Sequence, residues 1–159
     1  MTSDRWGGEQ FDVLYRESFA TIVGSVRWIV GDLEVADEIV QDAFVAALVR
    51  WRKVSGYDNP GAWVRRVAIR DAVRVAKRAR SQPRFASRAD GMDSETVIDV
   101  RVAVESLPAA QRAAVVLYYL HDLPVAEVAK TLGCSRGTAK THLSRARHTL
   151  AVRLGEEHN

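Results

Sequence analysis

The sequence is poor in the features that mark secreted, membrane-spanning and disulfide-bonded proteins. Its 159 residues include one cysteine, Cys134, so no internal disulfide can form. No apolar run reaches about 18 residues, and the N-terminus has no apolar segment typical of a signal peptide. Glycine and proline together account for only 14 residues, whereas 47% of the chain is hydrophobic. This composition predicts a globular helical protein of the cytoplasm without membrane insertion, in one domain or two small ones.

Charge of one sign is missing from several stretches of the chain. Residues 31–49 hold five acids and no Lys or Arg, whereas residues 50–88 hold twelve basic residues and two acids. Residues 89–127 are acidic again, and residues 130–153 hold six basic residues and no acid. Two basic zones separated by acidic ones predict two contacts with a polyanion and one acidic surface for a different partner.

Residues 123–143 (LPVAEVAKTLGCSRGTAKTHL) have the spacing of a helix-turn-helix. Pro124 suits the first turn of a short helix, Gly133 permits a sharp turn, and Ser135 can cap the second helix. A stripe of Ala139, Leu143, Ala146, Leu150 and Leu154 predicts the buried face of that helix. An ordinary helical hairpin with a solvated basic face is the alternative. The predicted DNA contacts are Ser135, Arg136, Thr138, Lys140, Thr141, His142 and Arg145.

Helical periodicity predicts further helices over residues 9–30, 34–51, 61–80, 97–106 and 109–120. Residues 53–60 are predicted to form a loop, because Pro60 disfavours helix at Asn59 and Gly56 relaxes the backbone. Residues 81–96 show no periodic pattern and predict a flexible linker. The predicted fold is therefore all-α, with a three-helix domain over residues 9–80 and a helix-turn-helix domain over residues 97–154.

Over residues 11–154 the chain resembles the extracytoplasmic-function group of sigma-70-like factors, the two-domain initiation subunits of bacterial RNA polymerase. Residues 107–112 (LPAAQR) and 119–123 (YLHDL) resemble the entry to sigma region 4, and residues 137–147 (GTAKTHLSRAR) resemble its recognition helix. Residues 36–44 (ADEIVQDAF) are similar to the polymerase-binding segment of region 2. Residues 60–68 (PGAWVRRVA) resemble the start of the helix that handles the minus-ten promoter element.

The resemblance implies a sigma factor that directs core RNA polymerase to promoter DNA and promotes its opening, under the control of an anti-sigma factor. It implies no cofactor and no enzymatic activity. The polymerase-binding residues it implies are Asp37, Glu38, Gln41, Asp42 and Phe44. The minus-ten contacts it implies are Tyr57, Asp58, Asn59, Trp63, Arg65, Arg66, Arg70, Arg74 and Lys77. The predicted contacts of the second helix would read the minus-thirty-five element.

Other interpretations of these residues remain open. The acidic face of the second helix could simply face solvent instead of binding a partner. Tyr57 and Trp63 could be packed side chains instead of DNA contacts. A polymerase-independent regulator that uses the helix-turn-helix as a dimer is the alternative function. It would need a sensing or dimerising domain, and neither the acidic helix nor the basic third helix resembles one. Cys134, His142 and His148 match no zinc-site spacing, so no metal is expected. Arg70 and His142 stand where the family often has Asn and Arg, which bears on promoter preference.

Overall fold

The computed structural model describes residues 2–79 and 95–158, and it contains helices and no strand within them. In the first range lie α1 (Thr2–Val30), α2 (Leu33–Val49), α3 (Trp51–Val54) and α4 (Pro60–Arg78). In the second lie α5 (Glu95–Glu105), α6 (Ala109–Val115), a π-helical segment (Val116–Leu120), α7 (Val125–Leu132) and α8 (Arg136–His158). The predicted all-α fold with two helical regions is confirmed. Most of the predicted linker lies outside the described residues.

Side-chain caps fix where α2 and α4 begin. Oδ1 of Asp32 accepts a hydrogen bond from the amide of Glu34 at 2.8 Å, and Oδ1 of Asn59 accepts one from the amide of Ala62 at 3.0 Å. Pro60 occupies the first turn of α4, where its missing N–H costs no hydrogen bond. Both starts are therefore set by local side chains, and they orient the two charged helices.

Helices α1, α2 and α4 pack together as a three-helix unit. Aromatic rings close one end of it around Phe44, which is 2% exposed. The Phe44 ring lies 5.0 Å from Tyr15 and 6.1 Å from Phe11 between centroids, and both pairs are T-shaped, a favourable geometry. The fully buried side chains in the rest of this unit include Val26, Ile29, Val40, Val64 and Ile69.

The turn between α7 and α8 has the predicted chemistry. Gly133 has a φ of 72°, in the left-handed region that glycine adopts without steric cost. The amide of Cys134 donates to the carbonyl of Ala129 at 3.0 Å, and Oγ of Ser135 accepts from the amide of Thr138 at 3.0 Å. The predicted end of α7 and the predicted cap of α8 are both confirmed. The fully buried stripe of α8 consists of Ala139, Leu143 and Ala146, whereas Leu150 and Leu154 of the predicted stripe are only half-buried.

Several predicted boundaries were wrong in detail. Helix α1 begins at Thr2, seven residues before the predicted start at residue 9, and the loop predicted over residues 53–60 begins only after Val54. The predicted helix over residues 34–51 ends at Val49, because Trp51 begins a separate short helix and its ring packs edge-on against Phe11 at 5.4 Å. The helix predicted from residue 97 begins at Glu95, two residues inside the predicted linker. The single helix predicted over residues 109–120 changes to π geometry at Val116, which leads into a bend where Asp122 has a φ of 52°.

The two helical regions pack against each other. Helix α4 contacts α6 and α7, and α1 contacts α5, α6 and the π-helical segment. Buried residues from both regions belong to one continuous apolar cluster. The arrangement of the described residues is therefore a closed one, in which both regions share a core.

Polar side chains also cross the boundary between the two regions. Arg112 donates to the carbonyl of Ile29 at the end of α1, and to the carbonyls of Glu105 and Leu107 at 2.8 and 2.9 Å. Within α1, Oγ of Ser25 lies 2.6 Å from Nε2 of His121. These hydrogen bonds satisfy polar groups that the shared core removes from water.

Candidate nucleic-acid and protein interfaces

The outward face of α8 combines exposed cations with small hydroxyl side chains. Because Ala139, Leu143 and Ala146 turn inward, the side chains between them project into solvent. Two hydroxyls are already engaged locally: Ser135 donates to Oγ1 of Thr138 at 2.9 Å, and Thr141 donates to the carbonyl of Gly137 at 3.0 Å. The exposed predicted contacts on this face are Ser135, Arg136, Thr138, Lys140, Thr141 and Arg145.

His142 differs from the other predicted contacts of α8, because it is half-buried. It lies on the side of α8 that faces α4. Burial lowers the pKa of His142, and the positive charges of Arg145 and Lys77 lower it further. The neutral imidazole is therefore favoured near pH 7, and it offers one donor and one acceptor instead of a charge.

Helix α2 presents one exposed stripe that is acidic at its N-terminal end and apolar at its C-terminal end. Residues three and four positions apart share a helix face, and the exposed members of this stripe follow that spacing. Nε2 of Gln41 donates to Oδ2 of the half-exposed Asp37 at 2.7 Å, which holds the polar end in one arrangement. The α2 stripe consists of Glu38, Gln41, Asp42, Val45, Leu48 and Val49.

The apolar half of the α2 stripe is a feature that the sequence motif does not point out. Val49 is 77% exposed, and Val45 and Leu48 are also more than half exposed. Phe44, in contrast, lies in the core and packs against the aromatic rings of α1. It stabilises the packing of α2 on α1 and is not part of the exposed stripe. The structure thus offers a mixed surface, in which carboxylates can pair with cations and the aliphatic side chains can be buried by a partner.

The basic residues of α4 are not equally available to a polyanion. Nε of Arg70 donates to the carbonyl of Thr131 at 2.9 Å, and its Nη2 donates to that of Lys130 at 3.0 Å. These carbonyls lie at the C-terminal end of α7, where a cation is favoured by the helix dipole. Arg74 pairs with Asp71 at 2.8 Å, whereas Lys77 is exposed and has no carboxylate partner among the described residues.

Arg65 and Arg66 lie deeper than the other cations of α4. Both are half-buried, and the Nε atom of each is buried without a hydrogen-bond partner among the described residues. Burial lowers the pKa of Arg65, although the nearby carboxylate of Glu127 acts in the opposite direction. Arg65 also lines a small polar pocket of about 180 Å³ with Asn59 and His121.

The loop before α4 is open to solvent. Tyr57 is 40% exposed, and Asp58 and Asn59 are exposed beside it. The Asn59 carboxamide oxygen is used as the helix cap, which leaves its NH₂ group available. Trp63 is half-buried against the core of the first region. The loop therefore offers an aromatic ring and polar groups at the entrance to the basic helix.

The structure brings part of the two predicted DNA surfaces into one cleft. Its lining combines residues of α4 with residues of α6, α7, α8 and the turn before α8, around a cavity of about 430 Å³. We call this space the α4–α8 cleft. It is lined by Arg70, Val73, Arg74, Lys77, Ala110, Leu132, Cys134 and His142.

The part of the chain that the structure describes meets neither the requirements of a metal site nor those of a membrane-spanning helix. No group of three or more His, Cys, Asp or Glu side chains is placed to hold a metal ion there. None of the helices in the same part has both the length and the apolar character needed to cross a membrane.

Two known family models match the chain, one over each of the two helical regions seen in the structure. Residues 14–82 match the family model described as Sigma-70 region 2, and residues 98–150 match the one described as Sigma-70, region 4. Because region 2 matches as well as the helix-turn-helix, the polymerase-independent regulator is not favoured.

Individual relatives agree with these matches. The ECF RNA polymerase sigma factor SigM of Mycobacterium tuberculosis is 32% identical over 154 residues, covering 91% of this chain and 77% of the relative. The ECF RNA polymerase sigma factor SigE of Mycolicibacterium smegmatis is 28% identical, covering 94% of this chain and 63% of the relative.

One solved structure shares the overall arrangement of helices. It is the sigma factor RpoE in complex with the anti-sigma factor NepR from Bartonella quintana, with a TM-score of 0.77 and 22% sequence identity. The match covers 92% of this chain and 98% of that chain. At this level of identity the likeness concerns the fold.

Proposed function

Since the chain belongs to the extracytoplasmic-function group of RNA polymerase sigma factors, we propose how its surfaces divide the work of initiation. The α2 stripe docks on core polymerase, the Tyr57 loop and α4 engage the minus-ten element, and the outward face of α8 reads the minus-thirty-five element. The factor contributes binding and positioning, without catalytic chemistry of its own.

The observation that carries this proposal is the separation of charge between α2 and α8. Helix α8 exposes Arg136, Lys140 and Arg145 with no acid from residue 133 to 155, which favours phosphate oxygens and base edges. Helix α2 exposes carboxylates and aliphatic side chains, which favour a protein partner carrying cations. A DNA contact through α2 would bring carboxylates against phosphates and is disfavoured.

We propose that the two regions separate when the factor loads onto DNA. In the closed arrangement, Arg70 is held by carbonyls of α7, and Lys77 and His142 face one shared cleft. Helices α4 and α8 can engage two separate promoter elements at once only when they move apart. Polymerase would hold the regions at the required separation, and the segment between α4 and α5 would then act as a linker.

We also propose that an anti-sigma factor covers the α2 stripe before loading. Three exposed aliphatic side chains beside carboxylates form a surface suited to burial by a partner. The similarly folded RpoE was solved with an anti-sigma factor. A partner seated on the stripe would exclude polymerase by direct competition.

Run-off transcription with core polymerase tests the docking surface. In the Glu38→Lys/Asp42→Lys variant, we expect promoter-specific transcripts to fall at least about tenfold, because like charges placed against a basic partner cost several kcal/mol. The matched control is Glu9→Lys/Asp12→Lys, which changes the net charge equally at exposed positions of α1. Binding to immobilised core polymerase should fall in parallel. Full initiation by the stripe variant, with its fold verified by circular dichroism, would show that polymerase docks elsewhere.

A further inference from the structure

The α4–α8 cleft has the dimensions and the mixed lining of a small-molecule site. Its volume of about 430 Å³ lies in the range of about 300–1,000 Å³ typical of ligand pockets. The cleft is formed between the two regions, since α4 supplies one wall and α6, α7 and α8 supply the other. A molecule bound there would contact both regions at once.

The cleft is positively charged, although one of its cations is already in an ion pair. Three of the eight described residues that line it, Arg70, Arg74 and Lys77, are cations, His142 adds an imidazole, and none of these eight is a carboxylate. Arg74 pairs with Asp71 at 2.8 Å, whereas Lys77 has no carboxylate partner among the described residues. Arg70 is fixed at the wall by two backbone carbonyls, which hold the guanidinium without cancelling its charge. An anion entering the cleft would therefore meet preplaced positive charge.

Apolar side chains from both walls complete the lining. Val73, Ala110 and Leu132 are half-buried side chains that expose aliphatic surface to the cavity. Cys134 extends the same wall next to His142. A ligand that fits this lining carries both a strongly anionic group and an apolar group.

The volume also distinguishes between phosphate-bearing ligands. A DNA duplex has a major groove alone about 12 Å wide, so a duplex does not fit a cavity of about 430 Å³ between two packed helices. A free phosphorylated metabolite does fit. The charge and the size together therefore favour a small phosphorylated molecule over duplex DNA as the occupant of the closed arrangement.

We propose that the α4–α8 cleft binds a small molecule of the nucleoside polyphosphate class. Its phosphates lie against Arg74, Lys77 and His142, and its base lies against Val73 and Leu132. Because the ligand bridges the two regions, it stabilises the closed arrangement over an open one. Given the function proposed above, bound ligand also withholds cations of α4 from the promoter.

Cys134 provides a direct test, because it is the only cysteine in the chain and lines the cleft. The rate at which N-ethylmaleimide modifies it is measured in the full-length protein, with increasing ATP at constant ionic strength. We expect saturable protection of at least about fivefold, together with a rise in the thermal unfolding temperature at saturating ATP. The assay contains no polymerase and no DNA, so its outcome is independent of the sigma-factor function.

Two variants test whether the protection of Cys134 comes from ATP bound in the cleft. In Lys77→Gln/His142→Gln, we expect the ATP concentration for half-protection to rise at least about tenfold, equal to about 1.4 kcal/mol of binding free energy. The matched control is Arg52→Gln/Lys53→Gln, which changes exposed cations of α3 outside the cleft. In this control, ATP should protect Cys134 at the same concentration as in the wild type.

Inorganic triphosphate separates the two halves of the proposal. Weaker protection by triphosphate than by ATP supports a contact with the nucleoside, whereas equal protection supports the anion site and overturns the base contact. The proposal as a whole is overturned if neither compound protects Cys134, or if the cleft variant and the α3 control lose protection equally.

Discussion

His121 is the residue whose protonation is most directly linked to the closed arrangement. Its Nε2 lies 2.6 Å from Oγ of Ser25 on α1, across the boundary between the two regions. Burial lowers the pKa of His121, and the positive charge of Arg65 lowers it further. The folded protein therefore favours the neutral imidazole, whereas the unfolded chain takes up a proton near the ordinary pKa of about 6.5.

This difference predicts an acid-sensitive stability. Well above pH 6.5 His121 is neutral in both states and contributes no pH dependence, and as the pH approaches and passes below that value the unfolded state binds the proton first. The free energy of unfolding should therefore decline between pH 7.5 and pH 5. Urea denaturation of wild type and His121→Gln across this range measures the effect, and the variant should show a shallower decline.

Two other groups must be separated from His121 in that experiment. The pKa of His142 is also lowered, and the pKa of Glu105 is raised by burial, which makes stability fall with rising pH over the carboxyl range. Both groups are present in the wild type and in His121→Gln. The difference between the two proteins in how the free energy of unfolding changes with pH therefore reports the contribution of His121. The control is His148→Gln, an exposed position on α8. Identical slopes in wild type and His121→Gln would contradict the assignment.

The turn between α7 and α8 is an element with one strict backbone requirement. Gly133 has a φ of 72°, and an added Cβ would lie 3.5 Å from Nη2 of Arg70, which is ordinary contact. The Gly133→Ala variant should therefore lose stability through backbone strain alone, by about 1–2 kcal/mol. Urea denaturation at pH 7.5 measures this loss.

Gly24 supplies the opposite case for comparison. It lies within α1, and an added Cβ there meets nothing within 4 Å. Gly24→Ala should stabilise the protein by about 0.5–1 kcal/mol, because alanine loses less conformational freedom than glycine in a helix. A gain of stability in Gly133→Ala would show that the turn does not need its left-handed residue.

The helix-turn-helix can be predicted from sequence because its signals are local. Gly133 directly follows an apolar stripe, and Ser135 precedes the amide it caps by three residues. The α2 and α4 starts are predictable for the same reason. The π geometry after Val115 is not, since the apolar pattern over residues 109–120 fits an ordinary α-helix equally well.

The contacts between the two regions do not follow from any local pattern. Arg70 and Thr131 are 61 residues apart, and Ser25 and His121 are 96 apart. An arginine on an outward helix face shows the same spacing whether it meets a phosphate or the carbonyls of another helix. The sequence therefore predicts the basic face of α4 but not that Arg70 is held by α7, and no sequence signal singles out Arg112.

Arg112 links the end of α1 to the turn before α6 and so couples the two halves of the molecule. It donates to backbone carbonyls of Ile29, Glu105 and Leu107, and its charge partly offsets the burial of the Glu105 carboxylate. Removing it leaves three backbone carbonyls without this donor and takes away one of the two positive charges that act on the Glu105 carboxylate. Stability of the whole molecule therefore depends on this one side chain.

We expect Arg112→Ala to lower the free energy of unfolding by about 2–3 kcal/mol, because hydrogen bonds to a charged group are each worth about 1.5–3 kcal/mol and are not additive. The control is Arg153→Ala, an exposed position near the end of α8, which should change stability by less than about 0.5 kcal/mol. Small-angle scattering should also show a larger radius of gyration for Arg112→Ala. A loss no greater than that of the control would mean that the shared apolar core alone holds the regions together.

The π-helical segment determines how far the chain has rotated when it reaches the helix-turn-helix. Val116–Leu120 follows α6 directly and precedes the bend at Asp122. A π turn accommodates one residue more than an α turn, and one residue corresponds to about 100° of rotation around a helix axis. Deleting a single residue here would swing α7 and α8 away from α4. A one-residue gap at this point in an alignment would therefore mark sigma factors whose DNA-reading helix rests on a different side of the molecule.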